Sequence, residues 1–260
     1  MALRIGVAGI TGRMGRLVAL EVERAGVILS GGVRRPGEAA APDVLLVPDI
    51  EALAQISDVV IDFSHARATA RHAKALAAAG RGWVLGTSAL AACEEAAVRA
   101  AAQRIPIVYA ANFSPGVTLM LAFAERLARL LPAADYDAEI VEMHHRQKTD
   151  APSGTALALG RAVARGRGVA LDKVMRAGRD GDVGARQPGE IGFAVLRGGQ
   201  VVGEHRLLFA AASEHIELAH RAFDRRVYAT GAVAAALWLS GRRAGLYSMR
   251  DVIGVDASVS

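Results

Sequence analysis

The sequence predicts an α/β protein of two domains, in which a parallel sheet is followed by a second, α+β domain with a mixed sheet. In the first third of the chain, short apolar runs alternate with helical stretches, which is the pattern of βαβ units. A glycine-rich segment directly follows the first apolar run, where a strand would turn into a helix. After residue 190, three strand-like runs follow one another without a helix between them, which indicates mixed or antiparallel pairing.

The first half of the chain supplies the segments of the parallel sheet. Strands that are buried on both faces are apolar throughout. Such runs occupy residues 4–8, 27–33, 59–63, 83–85 and 107–110. Helical stretches occupy residues 12–25, 66–79, 90–103 and 117–131. This alternation predicts parallel strands that are connected by helices.

The second half of the chain has a different order of segments. A strand over residues 138–143 leads into two histidines, and a helix follows over residues 155–164. Three strands are predicted over residues 191–196, 201–209 and 215–220. The first two of these are expected to form a hairpin around Gly198-Gly199. An apolar helix over residues 231–240 and a short segment over residues 249–252 complete the chain.

Composition and charge exclude several classes of protein. Hydrophobic residues make up 52% and charged residues 22% of the 260 positions, which is the balance of a globular protein. The single cysteine, Cys93, excludes an intrachain disulfide and fits a reducing compartment. No apolar run approaches the roughly 20 residues that cross a bilayer, so we expect a cytoplasmic protein without a membrane partner.

The net charge of +5 does not by itself indicate a nucleic-acid partner. The arginines stand in scattered pairs, without a long basic run and without interleaved aromatic residues. We therefore expect no nucleic-acid partner, and interpret the charge as a solvated surface that helps to attract small anions.

The glycine-rich loop predicts a dinucleotide site. Its first glycine permits a tight turn, its second lets the backbone approach a pyrophosphate, and its third allows close packing of helix on strand. The phosphates would lie at the N-terminus of the helix. The segment is Gly9-Ile10-Thr11-Gly12-Arg13-Met14-Gly15.

An arginine pair at the end of the second predicted strand indicates the cofactor. Dinucleotide sites usually carry a carboxylate there, which binds the ribose hydroxyls. Here the strand ends in Arg34 and Arg35, and guanidinium groups form bidentate bonds to phosphate. The arginine pair favours binding of a 2′-phosphate, and hence NADPH as the cofactor. The alternative is a solvated arginine pair on a loop.

Two further loops at strand ends have small residues that would let a nicotinamide approach the backbone. They are Gly86-Thr87-Ser88 and Ala110-Ala111-Asn112-Phe113.

A segment of twelve residues carries the strongest chemical signal. It contains two imidazoles, one ammonium group and a helix start made of small residues, in His144-His145-Arg146-Gln147-Lys148-Thr149-Asp150-Ala151-Pro152-Ser153-Gly154-Thr155. Imidazoles exchange protons near neutral pH, and helix N-termini bind anions. A metal site with Asp150 as third ligand is an alternative, but the spacing fits no common zinc pattern and we predict no metal. The segment predicts a site that holds a carboxylate and moves a proton.

These segments together resemble the dihydrodipicolinate reductase family over nearly the whole chain. The resemblance rests on the glycine loop, on the loops at residues 86–88 and 110–113, and above all on the segment from Glu142 to Ala156. It continues through Ile191-Gly192-Phe193-Ala194, Arg197-Gly198-Gly199, Gly203-Glu204-His205 and Gly245-Leu246-Tyr247-Ser248-Met249.

The resemblance implies the following site residues. His144 matches the catalytic acid/base, and Lys148 matches the proton donor. Contacts with a cyclic dicarboxylate map to His145, Lys148, Ser153, Gly154, Thr155 and Ser88. Cofactor contacts map to Gly9, Ile10, Thr11, Gly12, Arg13, Met14, Arg34, Arg35, Gly86, Thr87, Ser88, Ala110, Ala111, Asn112 and Phe113.

The resemblance also implies architecture and activity. A Rossmann-like dinucleotide-binding domain is expected over residues 1–113 and 225–260, and a substrate-binding and oligomerisation domain over residues 114–224. The implied reaction is NAD(P)H-dependent reduction of 4-hydroxy-tetrahydrodipicolinate in lysine and diaminopimelate biosynthesis, by a homotetramer. Arg34 stands where many members carry an acidic residue, so NADPH is expected to be preferred over NADH, and Ser88 replaces a threonine.

Two other functions fit part of the sequence. Another nicotinamide dehydrogenase could share the fold, but it would need a different substrate segment in place of residues 144–155. A non-catalytic NADPH-binding redox sensor is the second alternative, although a sensor needs no proton donors beside an anion-binding helix start.

Overall fold

The chain folds into two units, which the computed structural model describes for residues 2–34 and 44–255. Unit 1 comprises Met1–Pro115 and Arg225–Ser260, and unit 2 comprises Gly116–Asp224. The functions expected of these two parts of the chain stay predictions.

The strands and helices are numbered in chain order. The strands are β1 (Arg4–Ala8), β2 (Ile28–Val33), β3 (Val59–Asp62), β4 (Gly82–Leu85), β5 (Pro106–Tyr109), β6 (Asp137–His144), β7 (Met175–Ala177), β8 (Ile191–Arg197), β9 (Gly203–Ala210), β10 (His215–Ala222) and β11 (Gly245–Tyr247). The α-helices are α1 (Arg13–Arg24), α2 (Ile50–Ile56), α3 (Thr69–Ala79), α4 (Ala92–Ala102), α5 (Pro115–Leu130), α6 (Gly154–Gly166), α7 (Leu171–Val174), α8 (Arg226–Leu239) and α9 (Met249–Ile253).

The described strands of unit 1 form one parallel sheet in the order β11-β5-β4-β3-β1-β2. Apolar residues cover both of its faces, because α1 and α8 pack on one side while α2, α3 and α4 pack on the other. Strands β3 and β4 are buried along their whole length, as their apolar sequences predict. The predicted Rossmann-like fold is therefore confirmed.

The predicted elements of unit 1 match the structure to within a few residues, but two elements were missed. Helix α2 follows Asp49, whose side chain accepts a hydrogen bond from the backbone N–H of Ala52 at 2.9 Å and so caps it. Strand β11 is only three residues long and pairs with β5 at the sheet edge. Segments this short carry too little periodicity to be recognised.

Unit 2 contains a mixed sheet in the order β10-β9-β6-β8-β7. Strand β6 pairs antiparallel with β9 and parallel with β8, so it lies between them. The predicted hairpin of β8 and β9 around Gly198-Gly199 is therefore wrong. The observed hairpin joins β9 to β10, and its turn is closed by a hydrogen bond from the N–H of Ala211 to the carbonyl of Glu214.

The packing of α6 on this sheet positions the site described below. Side chains along β6 alternate between buried and half-buried, so Ala138, Ile140, Glu142 and His144 lie on one face. Helix α6 packs on that face and approaches it closely at Gly160, where an added Cβ would lie 2.5 Å from the ring of Phe193. The start of α6 is therefore held beside the end of β6.

None of the helices that the structure describes is both long enough and apolar enough to cross a membrane.

Candidate active site

A buried carboxylate and a buried imidazole stand side by side at the end of β6. Nδ1 of His144 lies 2.5 Å from Oε2 of Glu142, whose side chain is 1% exposed. The two residues share one face because they are two positions apart on a strand. If Glu142 is ionised, it accepts a hydrogen bond from Nδ1–H, and Nε2 of His144 is left as the proton-exchanging atom.

Three donors hold the carboxylate of Glu142. Arg197 on β8 donates from Nη1 to Oε2 at 2.9 Å and from Nη2 to Oε1 at 3.0 Å, which is the bidentate geometry of a guanidinium and a carboxylate. The backbone N–H of Ser153 donates to Oε1 at 2.9 Å. Burial raises the pKa of Glu142, but the hydrogen bonds from Arg197 and His144 outweigh burial and leave that pKa below its ordinary value. Glu142 is therefore an anion at neutral pH.

The environment of His144 keeps its imidazole neutral in the resting protein. Burial lowers the pKa of His144 and prevails over the hydrogen bond and charge of Glu142, which raise it. The charges of Lys148 and Arg197 act in the same direction as burial. A neutral imidazole with Nδ1–H bound to Glu142 can accept a proton at Nε2 and return it.

The ammonium group of Lys148 lies in the segment between β6 and α6. Its Nζ is 2.8 Å and 2.9 Å from the two carboxylate oxygens of Asp150, and the bond from Lys148 lowers the pKa of Asp150. An ammonium group has three donors, so this ion pair does not use all of them.

His145, another predicted site residue, follows β6 and is half-buried.

The predicted anion-binding residues surround the start of α6. Ser153 is the N-cap, and its Oγ accepts a hydrogen bond from the backbone N–H of Ala156 at 3.2 Å. Gly154 and Thr155 form the first turn, and an added Cβ at Gly154 would meet no atom within 4 Å. The open space and the dipole of a helix of thirteen residues suit a carboxylate.

The glycine loop of unit 1 has the backbone geometry expected of a dinucleotide site. Gly9 adopts φ +79°, a left-handed conformation that favours glycine. An added Cβ at Gly15 would lie 2.1 Å from the carbonyl oxygen of Gly9, so only glycine lets α1 approach the loop. Of the other predicted contacts, Ile10 is buried in the core and Thr11 is nearly so, so their backbone rather than their side chains would face a ligand.

Two clefts open beside this loop. The first, named the Arg34 cleft, is lined by Gly9, Gly12, Arg34 and residues of the segments after β3 and before α2. The second, named the Ser88 cleft, brings Gly12, Arg13 and Met14 together with Gly86, Thr87 and Ser88. Arg34 directly follows β2 and is exposed, while Arg35 lies outside the described residues. The structure thus brings the glycine loop together with two of the predicted segments.

Two residues that line the Ser88 cleft carry buried hydroxyl groups. Oγ1 of Thr87 and Oγ of Ser64 are buried without a hydrogen-bond partner among the described residues. Ala110 to Phe113 follow β5, where Asn112 accepts a hydrogen bond from the N–H of Ser114 and Phe113 packs edge-on against Phe63 with ring centroids 5.7 Å apart.

Sequence reasoning missed several residues of both sites. In unit 2 it assigned no role to Glu142, Arg197 or His205, although the spacing of two residues between Glu142 and His144 on a strand was a readable signal. In unit 1 it missed the segment from Phe63 to His65, which lines both clefts. That segment directly follows β3, the neighbour of β1 in the sheet, and strand order cannot be read from composition.

No cluster of three His, Cys, Asp or Glu side chains suited to a metal ion occurs in residues 2–34 and 44–255. Asp150, the ligand considered for such a site, instead pairs with Lys148.

Comparison with known proteins shows the family of the chain. The family models of the N-terminus and the C-terminus of dihydrodipicolinate reductase match residues 3–113 and 116–253. The chain is 58% identical over 257 residues to the 4-hydroxy-tetrahydrodipicolinate reductase of Granulibacter bethesdensis, with 98% of both chains covered. It is 59% identical over 254 residues to the enzyme of the same name from Gluconacetobacter diazotrophicus, again with 98% of both covered.

Solved structures show the same fold at lower identity. A dipicolinate-bound dihydrodipicolinate reductase from Paenisporosarcina sp. TG-14 superposes with a TM-score of 0.78 at 22% identity, and the match covers 97% of this chain and 100% of that one. GenD2 from gentamicin A biosynthesis, in complex with NAD, superposes with a TM-score of 0.61 at 15% identity over 98% of this chain and 91% of that one. With both family models matched, the chain is an oxidoreductase that belongs to the dihydrodipicolinate reductase family.

Proposed function

We propose that this protein reduces 4-hydroxy-tetrahydrodipicolinate to tetrahydrodipicolinate with a reduced nicotinamide cofactor, preferring NADPH, as a step of lysine and diaminopimelate biosynthesis. The observation that carries the proposal is the hydrogen-bonded pair of Glu142 and His144 beside Lys148 and the start of α6. It combines a proton-exchanging group with an anion-binding helix terminus in one unit. The names of the relatives given above, at 58% and 59% identity, support the same substrate.

The start of α6 is the proposed binding site for one substrate carboxylate. Gly154 and Thr155 would bind it through the first turn of the helix, with His145, Lys148 and the hydroxyl of Ser153 around it. Lys148 adds a full positive charge, and its pairing with Asp150 keeps the ammonium group in place until a substrate arrives. In unit 1, Ser88 is the proposed further contact, since its exposed side chain lines a cleft.

The proposed proton transfer follows from the charge state of His144. Loss of water from the hydroxy substrate leaves a ring in which a C=C bond is conjugated with the C=N bond. A bound reduced nicotinamide would supply a hydride to C4 of that ring. The electron pair displaced by this addition moves toward the ring nitrogen, and the reaction is completed by one proton on the carbon next to C4. His144 is the proposed acid/base for that proton, with Glu142 stabilising the imidazolium, and Lys148 is the proposed donor that supports it.

The cofactor would be held by unit 1. The glycine loop fits a pyrophosphate because the N-cap of α1 is Gly12, which has no side chain to cap the helix N-terminus. Arg34 lines the adjoining cleft at the end of β2, where a 2′-phosphate would bind a guanidinium. The preference for NADPH rests on this residue, because Arg35 lies outside the described residues.

A homotetramer built by unit 2, acting in the cytoplasm, is part of the same proposal. One face of the unit 2 sheet packs on α6, whereas the other carries half-buried and exposed apolar side chains, including Val141, Met143 and Leu196, the last 52% exposed. Burial of this face between copies of the chain would remove apolar area from water. Light scattering coupled to size-exclusion chromatography tests the proposed homotetramer. A monomer at micromolar concentration would contradict this part of the proposal.

The experiment that tests the activity is direct. Purified protein is mixed with freshly prepared 4-hydroxy-tetrahydrodipicolinate and NADPH, and the absorbance of NADPH is followed. We expect substrate-dependent oxidation of NADPH, inhibited by dipicolinate, and slower turnover with NADH at equal concentration. Absence of oxidation with either cofactor would contradict the proposed function.

A further inference from the structure

His205 is a buried imidazole of the site that the proposed mechanism does not use. It lies on β9, is 4% exposed, and its ring packs edge-on against that of His144 with centroids 5.1 Å apart. Strand register places it opposite Glu142 on β6 and opposite His220 on β10. Its Nε2 lies 3.0 Å from Oγ of Ser153, and its Nδ1 is buried without a hydrogen-bond partner in the described part of the chain.

The surroundings of His205 keep its ring neutral. Burial lowers the pKa of His205 to about 4, and repulsion from Lys148 and from the protonated forms of His144 and His220 acts in the same direction. The charge of Glu142 opposes them but does not prevail. At neutral pH the ring therefore carries one N–H, which is on either Nδ1 or Nε2.

The unpartnered Nδ1 decides between the two tautomers. If the proton were on Nδ1, a buried N–H donor would be left without an acceptor, and such donors are rarer in proteins than unpaired acceptors. If the proton is on Nε2, that atom donates to Oγ of Ser153, and only a ring lone pair is left unpaired. The second tautomer is favoured, so His205 donates to Ser153.

This donation determines what Ser153 can do. A hydroxyl oxygen has two acceptor lone pairs. One accepts from the backbone N–H of Ala156, and the other accepts from Nε2 of His205. The hydroxyl hydrogen of Ser153 is then available to an acceptor other than His205.

We propose that His205 is a positioning residue that turns the hydroxyl of Ser153 into a hydrogen-bond donor for a substrate carboxylate at the start of α6. The inference rests on the proposed function, because it assigns the carboxylate of that substrate to this hydroxyl. A loss of His205 weakens dicarboxylate binding and leaves the cofactor site in unit 1 unchanged.

Two amide variants distinguish hydrogen-bond donation to Ser153 from a role of His205 in core packing alone. In His205→Gln, the amide nitrogen reaches the place of Nε2 and can still donate to Ser153. In His205→Asn, the shorter amide cannot reach that place. The probe is dipicolinate, whose binding is measured by titration calorimetry on the full protein, together with the KM of the substrate, kcat, and the Kd of NADPH.

We expect His205→Asn to weaken dipicolinate binding about tenfold and to raise the substrate KM by a similar factor, with kcat within about twofold. His205→Gln should restore most of the affinity, and both variants should bind NADPH as the original protein does. Ser153→Ala should weaken dipicolinate by the same factor, and Ser153→Ala with His205→Asn should be no weaker than Ser153→Ala alone.

The inference is overturned if His205→Asn binds dipicolinate as tightly as the original chain, if His205→Gln is as weak as His205→Asn, or if the two losses multiply in the double variant. Turnover by the unchanged protein tests the proposed function separately. A protein that binds dipicolinate through Ser153 and His205 but oxidises no NADPH would refute the activity and keep the inference.

Discussion

Glu142 and His144 are two residues apart on β6, and their side chains meet at 2.5 Å on the face that α6 covers. The carboxylate is held from two further directions by Arg197 and by the N–H of Ser153. This arrangement orients one imidazole and assigns Nε2 as its exchanging nitrogen. We therefore expect the proposed proton transfer to depend on Glu142, which contacts the imidazole.

Replacement of Glu142 tests that dependence. Glu142→Gln keeps the shape of the side chain but removes the charge that stabilises a protonated His144 and orients its ring. We expect kcat to fall about 10²-fold, because residues that hydrogen-bond to a reacting imidazole and orient it typically contribute on that order. The measurement is steady-state NADPH oxidation. Glu204→Gln on β9, whose carboxylate faces Arg221 instead, is the control and should keep full activity; equal activity of Glu142→Gln would exclude the orienting role.

Charge reversal at Arg34 tests the cofactor preference. Because a 2′-phosphate is present in NADPH only, Arg34→Glu should raise the KM of NADPH by about 10- to 100-fold and change the KM of NADH far less. The matched control is Arg24→Glu, which reverses an exposed charge at the end of α1. Equal losses for both cofactors would show that Arg34 does not recognise the 2′-phosphate.

The burial of His205 should be visible in the pH dependence of the protein's folding stability. The pKa of His205 is about 4 in the folded protein and about 6.5 in an unfolded chain, so only the unfolded chain takes up this proton between those values. Stability from this residue is therefore complete above pH 6.5 and is lost as the pH falls to 4, by roughly 3 kcal/mol at most. Thermal melts over this range should show a flatter pH dependence for His205→Gln, while His215→Gln, on an exposed position of β10, should match the original chain. Identical profiles for all three proteins would contradict the shifted pKa.

The close approach of α1 to the glycine loop can be tested by adding one methyl group at Gly15. In Gly15→Ala the new Cβ would fall 2.1 Å from the carbonyl oxygen of Gly9 and 2.6 Å from Cα of Ile10, and both are backbone atoms that move only with the loop. We expect a loss of about 1–3 kcal/mol in the free energy of unfolding. Gly12→Ala, whose Cβ would lie 3.1 Å from the same oxygen, should lose less. Urea denaturation measures both, and a Gly15→Ala protein as stable as the original would refute the contact.

Much of the fold could be predicted because long apolar runs and amphipathic helices are visible in the sequence. Five of the six strands of the parallel sheet and the longer helices between them were placed to within a few residues, whereas α2 and β11 were missed. The error at β8 and β9 has a physical cause: a glycine pair between two strands indicates a turn, but it does not say whether those strands pair with each other. Here β6, from earlier in the chain, lies between them.

Some residues of the candidate site could be predicted from the sequence, whereas the residues that hydrogen-bond to them could not; the catalytic roles stay predictions. His144, Lys148 and the start of α6 were identified from one continuous segment. Arg197 and His205 come from β8 and β9, so they reach the site through strand pairing over more than fifty residues. Side-chain pairs at that separation are not encoded in local pattern.

The proposed reaction depends on His144 and Lys148 acting on a dicarboxylate. The most direct measurement is single-turnover oxidation of NADPH with 4-hydroxy-tetrahydrodipicolinate by the original protein, His144→Gln and Lys148→Ala, with Lys173→Ala on α7 as the control. We expect the rates of His144→Gln and Lys148→Ala to fall by about 10²–10⁴-fold, while NADPH binding and the rate of the control are unchanged. Undiminished turnover in both His144→Gln and Lys148→Ala would contradict it.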